Sequence, residues 1–267
     1  MNQVLNAGVR GFSDVDACHA HNYVAYLDAV RAHKPQQAQS ELYRLQGIGP
    51  GASVLEVGCG IGDDVRAISA LVGDDGRVDG VDSSQAMIAE AQRRGVPANA
   101  SVCVASVYSL PFAENTFEVA RAERVLQHLH HPDEAAAELY RVLKPGGSVL
   151  LVDQDWDTVA IAGADPAITR RIVHAFADSL ANGRAGRNHK AVLTRAQFCD
   201  VRVVPGVAVL PLSLAYAFVL ESAVEAAKSA GAITAHEADA WLASLVEANQ
   251  RGEFHYSVGV FVSLAVR

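Results

Sequence analysis

The stretch Val54-Leu55-Glu56-Val57-Gly58-Cys59-Gly60-Ile61-Gly62-Asp63-Asp64 limits what this chain can fold into more than any other. A short apolar run gives way to three glycines at alternate positions, and a helical pattern follows. A run of that length reads as a buried strand. Glycine has no Cβ, so the turn can take positive φ and let a ligand lie directly against the main chain. Strand, glycine turn and helix together make the geometry of a nucleotide-binding turn. The spacing here is G-x-G-x-G, without the last glycine or alanine of the dinucleotide pattern. Glu56 also puts a carboxylate at the strand end, which would repel a pyrophosphate and suit a cation.

About 20 residues further on, Arg77-Val78-Asp79-Gly80-Val81-Asp82 reads as a second short strand ending in an acid, with a helix expected over 84–94. In a Rossmann-like sheet an acid at that place accepts hydrogen bonds from ribose hydroxyls, which makes Asp82 the expected ribose ligand with Ser83 beside it. An adenosine ligand carrying an ammonium and a sulfonium in place of phosphates meets both conditions, and S-adenosyl-L-methionine is that ligand. The pattern continues through Leu110-Pro111-Phe112-Ala113-Glu114-Asn115-Thr116-Phe117-Glu118-Val119, Arg124-Val125-Leu126-Gln127-His128-Leu129 and Arg141-Val142-Leu143-Lys144-Pro145-Gly146-Gly147.

Over residues 50 to 155 this order resembles the class I S-adenosylmethionine-dependent methyltransferases, nearest their small-molecule branch of ubiquinone/menaquinone-biosynthesis enzymes. The resemblance implies an α/β fold with a Rossmann-like, doubly wound, seven-stranded sheet, mostly parallel with an antiparallel last strand. It implies methyl transfer to O, N or C of a small cyclic or aromatic metabolite. An N-terminal helix would close over the cofactor through Tyr23 or Tyr26, and an aromatic stripe packed on the core is the alternative for both. The cofactor-binding residues expected are Glu56, Gly58, Gly60, Gly62, Asp82, Ser83, Ser106, Val107, Arg121, Glu123 and Tyr26. Ser106-Val107 stands where the family often has an acid for the adenine amino group. For Arg121 an ion pair with Glu56 is the structural alternative. A non-catalytic cofactor-binding regulator or assembly protein and an NAD-dependent oxidoreductase are the rival functions.

The 267 residues suffice for a sizeable core, read as an N-terminal helical cap over 1–47 and one domain over 48–267 with lid insertions at about 160–190 and 215–250. The formal charge of −8 argues against a nucleic-acid partner. Cys18, Cys59, Cys103 and Cys199 are scattered without any C-x-x-C pair, so neither zinc nor a disulfide framework is expected. With no leader and no membrane-length apolar window, the expectation is a soluble cytoplasmic protein acting on a small-molecule acceptor, its homodimerisation left open.

Displacement at a sulfonium methyl asks mainly for positioning and exclusion of water. His128 is the leading base or orienting group because it follows the fourth strand, and a structural histidine is the alternative. The acids of Asp153-Gln154-Asp155-Trp156-Asp157 close the fifth strand, read as 148–152. Asp153 and Asp155 are assigned to the acceptor, with solvated loop acids as the alternative. Arg184, Arg187, His189 and Lys190 read as a basic loop following a helix over 166–182. A sixth strand over 201–212 is interrupted at Pro205-Gly206, and Thr234 with Glu237 predicts a capping box.

Overall fold

The computed structural model describes residues 36–267 together with Val24, Leu27, Asp28 and Ala32. Tyr23, Tyr26 and Cys18 lie outside the described residues. The chain runs α1 (Gln36–Leu45), β1 (Ser53–Val57), α2 (Asp63–Val72), β2 (Arg77–Asp82), α3 (Gln85–Arg93), β3 (Ala100–Val104) and β4 (Phe117–Glu123). It continues through α4 (Pro132–Val142), β5 (Leu143–Ala162), α5 (Pro166–Ser179), α6 (Ala185–Arg195), β6 (Cys199–Val209), α7 (Leu212–Ala215), α8 (Glu221–Ser229), α9 (Ala235–Gln250) and β7 (His255–Val266).

The sheet has seven strands in the order β3-β2-β1-β4-β5-β7-β6. Neighbours from β3 to β5 are parallel, and β7 runs antiparallel to both β5 and β6. Strand order reverses between β1 and β4, and in such sheets the crevice at that switch point, outside the carboxyl ends, is where ligands bind. Alternation along β1 and β4 feeds two layers. Leu55, Val57, Ala120 and Ala122 pack with Leu139 and Val149 on one face, while Val54 and Val119 pack with Ile68, Val72 and Ile88 on the other.

Helix boundaries follow local chemistry. Ser84 caps α3 by accepting from Met87 N at 3.1 Å. Pro132 opens α4 with Asp133 and Glu134 in its first turn. Asp165, which the sequence reading did not single out, caps α5 through Ala167 N and Ile168 N. The Thr234–Glu237 capping box is present.

Three elements depart from expectation. The fifth strand does not end near Val152 but runs to Ala162, pairing with β7 across a register shift between Asp155 and Ala160. The Arg184-to-Lys190 segment is not a loop: from Ala185 it is α6, and α5 stops at Ser179. Pro205 does not interrupt β6, because β6 is an edge strand where a missing N–H costs no ladder bond; the register shift falls between Cys199 and Arg202 instead. Beyond the sheet, the extended ends of β5 and β7 carry a separate apolar cluster in which Ile172 and Phe176 of α5 meet Leu220, Val224, Trp241 and Tyr256.

On the central strands, Glu56 and Arg121 are direct register partners on β1 and β4. Arg121 is fully buried and donates to Glu56 Oε2 at 3.0 Å, with Glu123 at 3.6 Å. Its guanidinium lies over the Tyr43 ring of α1, 4.7 Å from the centroid. Removing one member of a buried pair strands the other charge, at a cost of about 3–5 kcal/mol. Arg121→Met therefore lowers unfolding free energy by about that amount in urea titrations, and Arg121→Met/Glu56→Leu recovers most of it.

Candidate functional site

The carboxyl ends of β1, β2, β3 and β4 surround a cavity of about 480 Å³. Its floor is the glycine loop. Gly58 and Gly60 hold φ of 70° and 52°, and a Cβ at Gly58 would stand 2.5 Å from Val125 Cγ2. The end of β2 supports this loop. Val81 O accepts from Gly58 N at 2.8 Å and Cys59 N at 2.9 Å. Asp82 accepts from Gly60 N through Oδ2 and from Ser84 N through Oδ1, both at 2.9 Å. One carboxylate thus ties the loop after β1 to the start of α3. The Cys59 thiol within the loop is pushed far up by burial and by the Asp82 and Glu56 carboxylates, which keeps it protonated.

Of the residues expected to bind the cofactor, Gly58, Gly60, Asp82, Ser83, Ser106, Val107 and Glu123 line this cavity. Three others sit behind it. Glu56 and Arg121 are buried in their mutual pair, and Gly62 is the left-handed cap of α2, crowded by Ala91 and Arg66. Tyr26 lies outside the described residues, but its neighbour Leu27 does line the cavity, 3.4 Å from where a Gly60 Cβ would be. Asp28, next along, takes a bidentate bond from Arg94 at 2.7 and 2.9 Å.

His128 lines the opposite wall, on the turn Leu126–His128 that follows β4. Burial, with Arg124 adding to it, pushes its imidazole down to about 4, so the ring is neutral at pH 7. Asp153 and Asp155 are not at the cavity; both are fully buried. Asp153 receives His189 Nε2 at 3.0 Å and Gln127 N at 3.2 Å, and burial pushes its carboxyl up. Asp155 is held by Arg187, including a bond from Nη2 at 2.9 Å. Asp157 takes Arg184 Nε at 2.8 Å. The alternating acids do share a side, as the spacing predicts, but that side meets α6 rather than an acceptor.

Sequence reasoning missed Met87, Tyr108, Arg124, Gln127 and His130 in the lining. Gln127 and Arg124 stand inside the motif around His128, and only the turn geometry shows which of its side chains face inward. A larger open depression of about 860 Å³ lies at the amino ends of β2 and β3, between Arg66 and Ser101, away from the switch point. Among the described residues no group of three or more His, Cys, Asp or Glu side chains is placed to hold a metal ion, and no helix is long and apolar enough to cross a membrane.

His128 also has a thermodynamic consequence. Its ordinary value of 6.5 applies when unfolded and about 4 when folded, so between those values the unfolded chain binds the extra proton. That contribution to stability is complete above pH 6.5 and is lost as pH falls toward 4. Chemical denaturation at pH 7 and pH 5 is expected to show a smaller drop for His128→Asn than for the wild type.

A family model described as a methyltransferase domain matches residues 54–147. An uncharacterized 37.1 kDa protein in transposon TN4556 of Streptomyces fradiae is 34% identical over 247 residues, which are 91% of this chain and 69% of that one. The ubiquinone/menaquinone biosynthesis C-methyltransferase UbiE of Hydrogenovibrio crunogenus is 33% identical over 113 residues, and the chain spans 44% of its length, with 41% of this chain covered. In structure, the YcgJ protein of Bacillus subtilis superposes with a TM-score of 0.61 at 18% identity over 87% of this chain and 99% of its own, a likeness of fold. With this fold, this glycine loop and these relatives, the chain belongs to the class I S-adenosylmethionine-dependent methyltransferases.

Proposed function

We propose that this protein transfers the methyl group of S-adenosylmethionine to O, N or C of a small, cyclic or aromatic acceptor, with the cavity behind the Gly58–Gly60 loop as the site of transfer. The observation that carries this reading is the loop itself, in which two left-handed glycines and the Asp82 clamp leave the main chain open to a ligand. The residues present fit the cofactor. Gly58 and Gly60 give a floor that a side chain would fill, the Asp82 carboxylate lines the cavity as an acceptor for ribose hydroxyls, and Glu123 adds a carboxylate for a cationic end. Ser106, Val107 and Met87 would flank the adenine. When bound, the cofactor supplies a methyl carbon activated by positive sulfur.

The chain's own groups then do the positioning. Tyr108, Leu129 and His128 stand across the cavity from Gly60 and Asp82 and would orient the acceptor, with Leu27 closing the glycine side. A volume of about 480 Å³ suits a compact ligand over a polymer groove, and the net charge of −8 gives no basic face for nucleic acid. Isothermal titration with S-adenosylhomocysteine is expected to give micromolar binding to the wild type. Asp82→Ala should weaken it at least about tenfold, the scale of a lost charged hydrogen bond, and Gly58→Val should abolish it. No binding to the wild type sinks the proposal.

A further inference from the structure

The side chain of Gln127 sits between two rings. Trp156 Nε1 donates to Gln127 Oε1 at 3.1 Å, and Gln127 Nε2 lies 3.0 Å from His128 Nε2. An indole nitrogen is a donor only, so the glutamine atom facing it must be the carbonyl oxygen. The atom facing His128 is then the amide NH₂, also a donor, and His128 Nε2 must accept with its lone pair. We infer that Trp156 and Gln127 hold His128 as the neutral tautomer protonated on Nδ1, so that it serves as a positioning group and not as a general base, and the methyl acceptor must bring its own nucleophile. The inference rests on the methyltransferase reading of this cavity and deepens it to a substrate class: amines, and phenols or enols acidic enough to react as their anions.

The surroundings enforce the arrangement. Trp156 is fixed by an edge contact with Phe176, ring centroids 5.2 Å apart, and by its backbone N–H, which donates to Gly183 O at 2.9 Å. The turn Leu126–His128 is held at its backbone. Asp153 accepts from Gln127 N, while Asn182 donates from Nδ2 to Leu126 O and from its own N to Gln127 O, both at 3.1 Å. Among the described residues, the titratable and charged groups that line the cavity with the ring are Arg124 and Glu123, which precede the turn, His130 and Tyr108 after and beside it, and Asp82 at the end of β2, while Asp153 accepts from Gln127 N behind it. The low basicity of His128 agrees with the geometry: a group that titrates near 4 is a poor base at neutral pH, where the best catalytic base has a matched value. Transfer balances without it. The acceptor's lone pair forms the bond to the methyl carbon as the carbon–sulfur bond breaks and its electron pair returns to sulfur. An amine then sheds its extra proton to water, and a phenol or enol has already done so.

Nitrogen-15 NMR of the full chain reads the tautomer directly, with His128 assigned by its loss in His128→Asn. The wild type is expected to show a proton-bearing Nδ1 and an unprotonated Nε2 at pH 7. Gln127→Leu should bring in the Nε2-protonated form. Trp156→Phe, which removes only the donor that orients the amide, should do so partially. Wild-type His128 protonated on Nε2 or on both nitrogens, or an unchanged tautomer in a folded Gln127→Leu, overturns the inference. Transfer to an aliphatic alcohol as fast as to an amine or phenol overturns the substrate class. Calorimetry with S-adenosylhomocysteine on the same samples separates the two readings, because a failed cofactor reading abolishes binding while leaving the tautomer in place.

Discussion

The cavity exists because the carboxylate of Asp82 is bonded at both ends. Its two oxygens take Gly60 N and Ser84 N, donors that the loop and the helix start cannot satisfy internally. Val81 O takes two more from Gly58 and Cys59, so the last two residues of β2 carry the turn after β1. The arrangement demands that β2 come close beneath the loop, and Gly80 permits it. A Cβ there would lie 2.7 Å from Val65 Cγ2 and 3.0 Å from Cys59 Cβ. The empty space above the glycines is thus bounded below by a strand held in place by an absent side chain.

The facing wall is built by different means. Among the described residues none from β5 onward lines the cavity, yet Asp153 of β5 and Asn182 hold the backbone of the Leu126–His128 turn. Asp153, Asp155 and Asp157 project from β5 to His189, Arg187 and Arg184 on and before α6, so Asp155 and Asp157 are paired with guanidinium groups and Asp153 is hydrogen-bonded to an imidazole. Asp153 also keeps an oxygen for Gln127 N. Helix α6 is therefore coupled to the turn through a buried polar network with His189 and Ser263, bonded at 3.1 Å, at its base.

How much of this was legible in the sequence depends on whether the constraint is local. The glycine loop, Asp82, the Thr234 cap and the Pro132 helix start are residue types demanded by the backbone within a few positions, and the sequence shows them. The start of α6 offers no such mark. Its capping position is Arg184, with no capping side-chain bond, and Gly186 stands in its first turn because Phe261 and Asp153 O press against it, which makes the segment read as a loop. The fate of Asp153 and Asp155 was hidden for a related reason: their partners lie 36 and 32 residues away, and nothing near either end marks the pairing. For Arg121 the sequence left open a cofactor contact or a pair with Glu56, and the strand register brings it to Glu56.

Charge is distributed in the cavity with a sign that matters for turnover. Asp82 and Glu123 face the space from the β2 and β4 ends, against Arg124 and a His128 kept neutral by burial. A cation entering near the two carboxylates would be attracted by them. On the proposed reading, methyl transfer would turn the sulfonium into a neutral thioether while the ammonium keeps its charge, so one unit charge of the attraction would be lost, and at partly buried sites a unit charge a few ångströms away amounts to several kcal/mol before screening. If Asp82 and Glu123 hold the cofactor as proposed, they would therefore hold the thioether product less firmly than the sulfonium, which would favour exchange after each transfer.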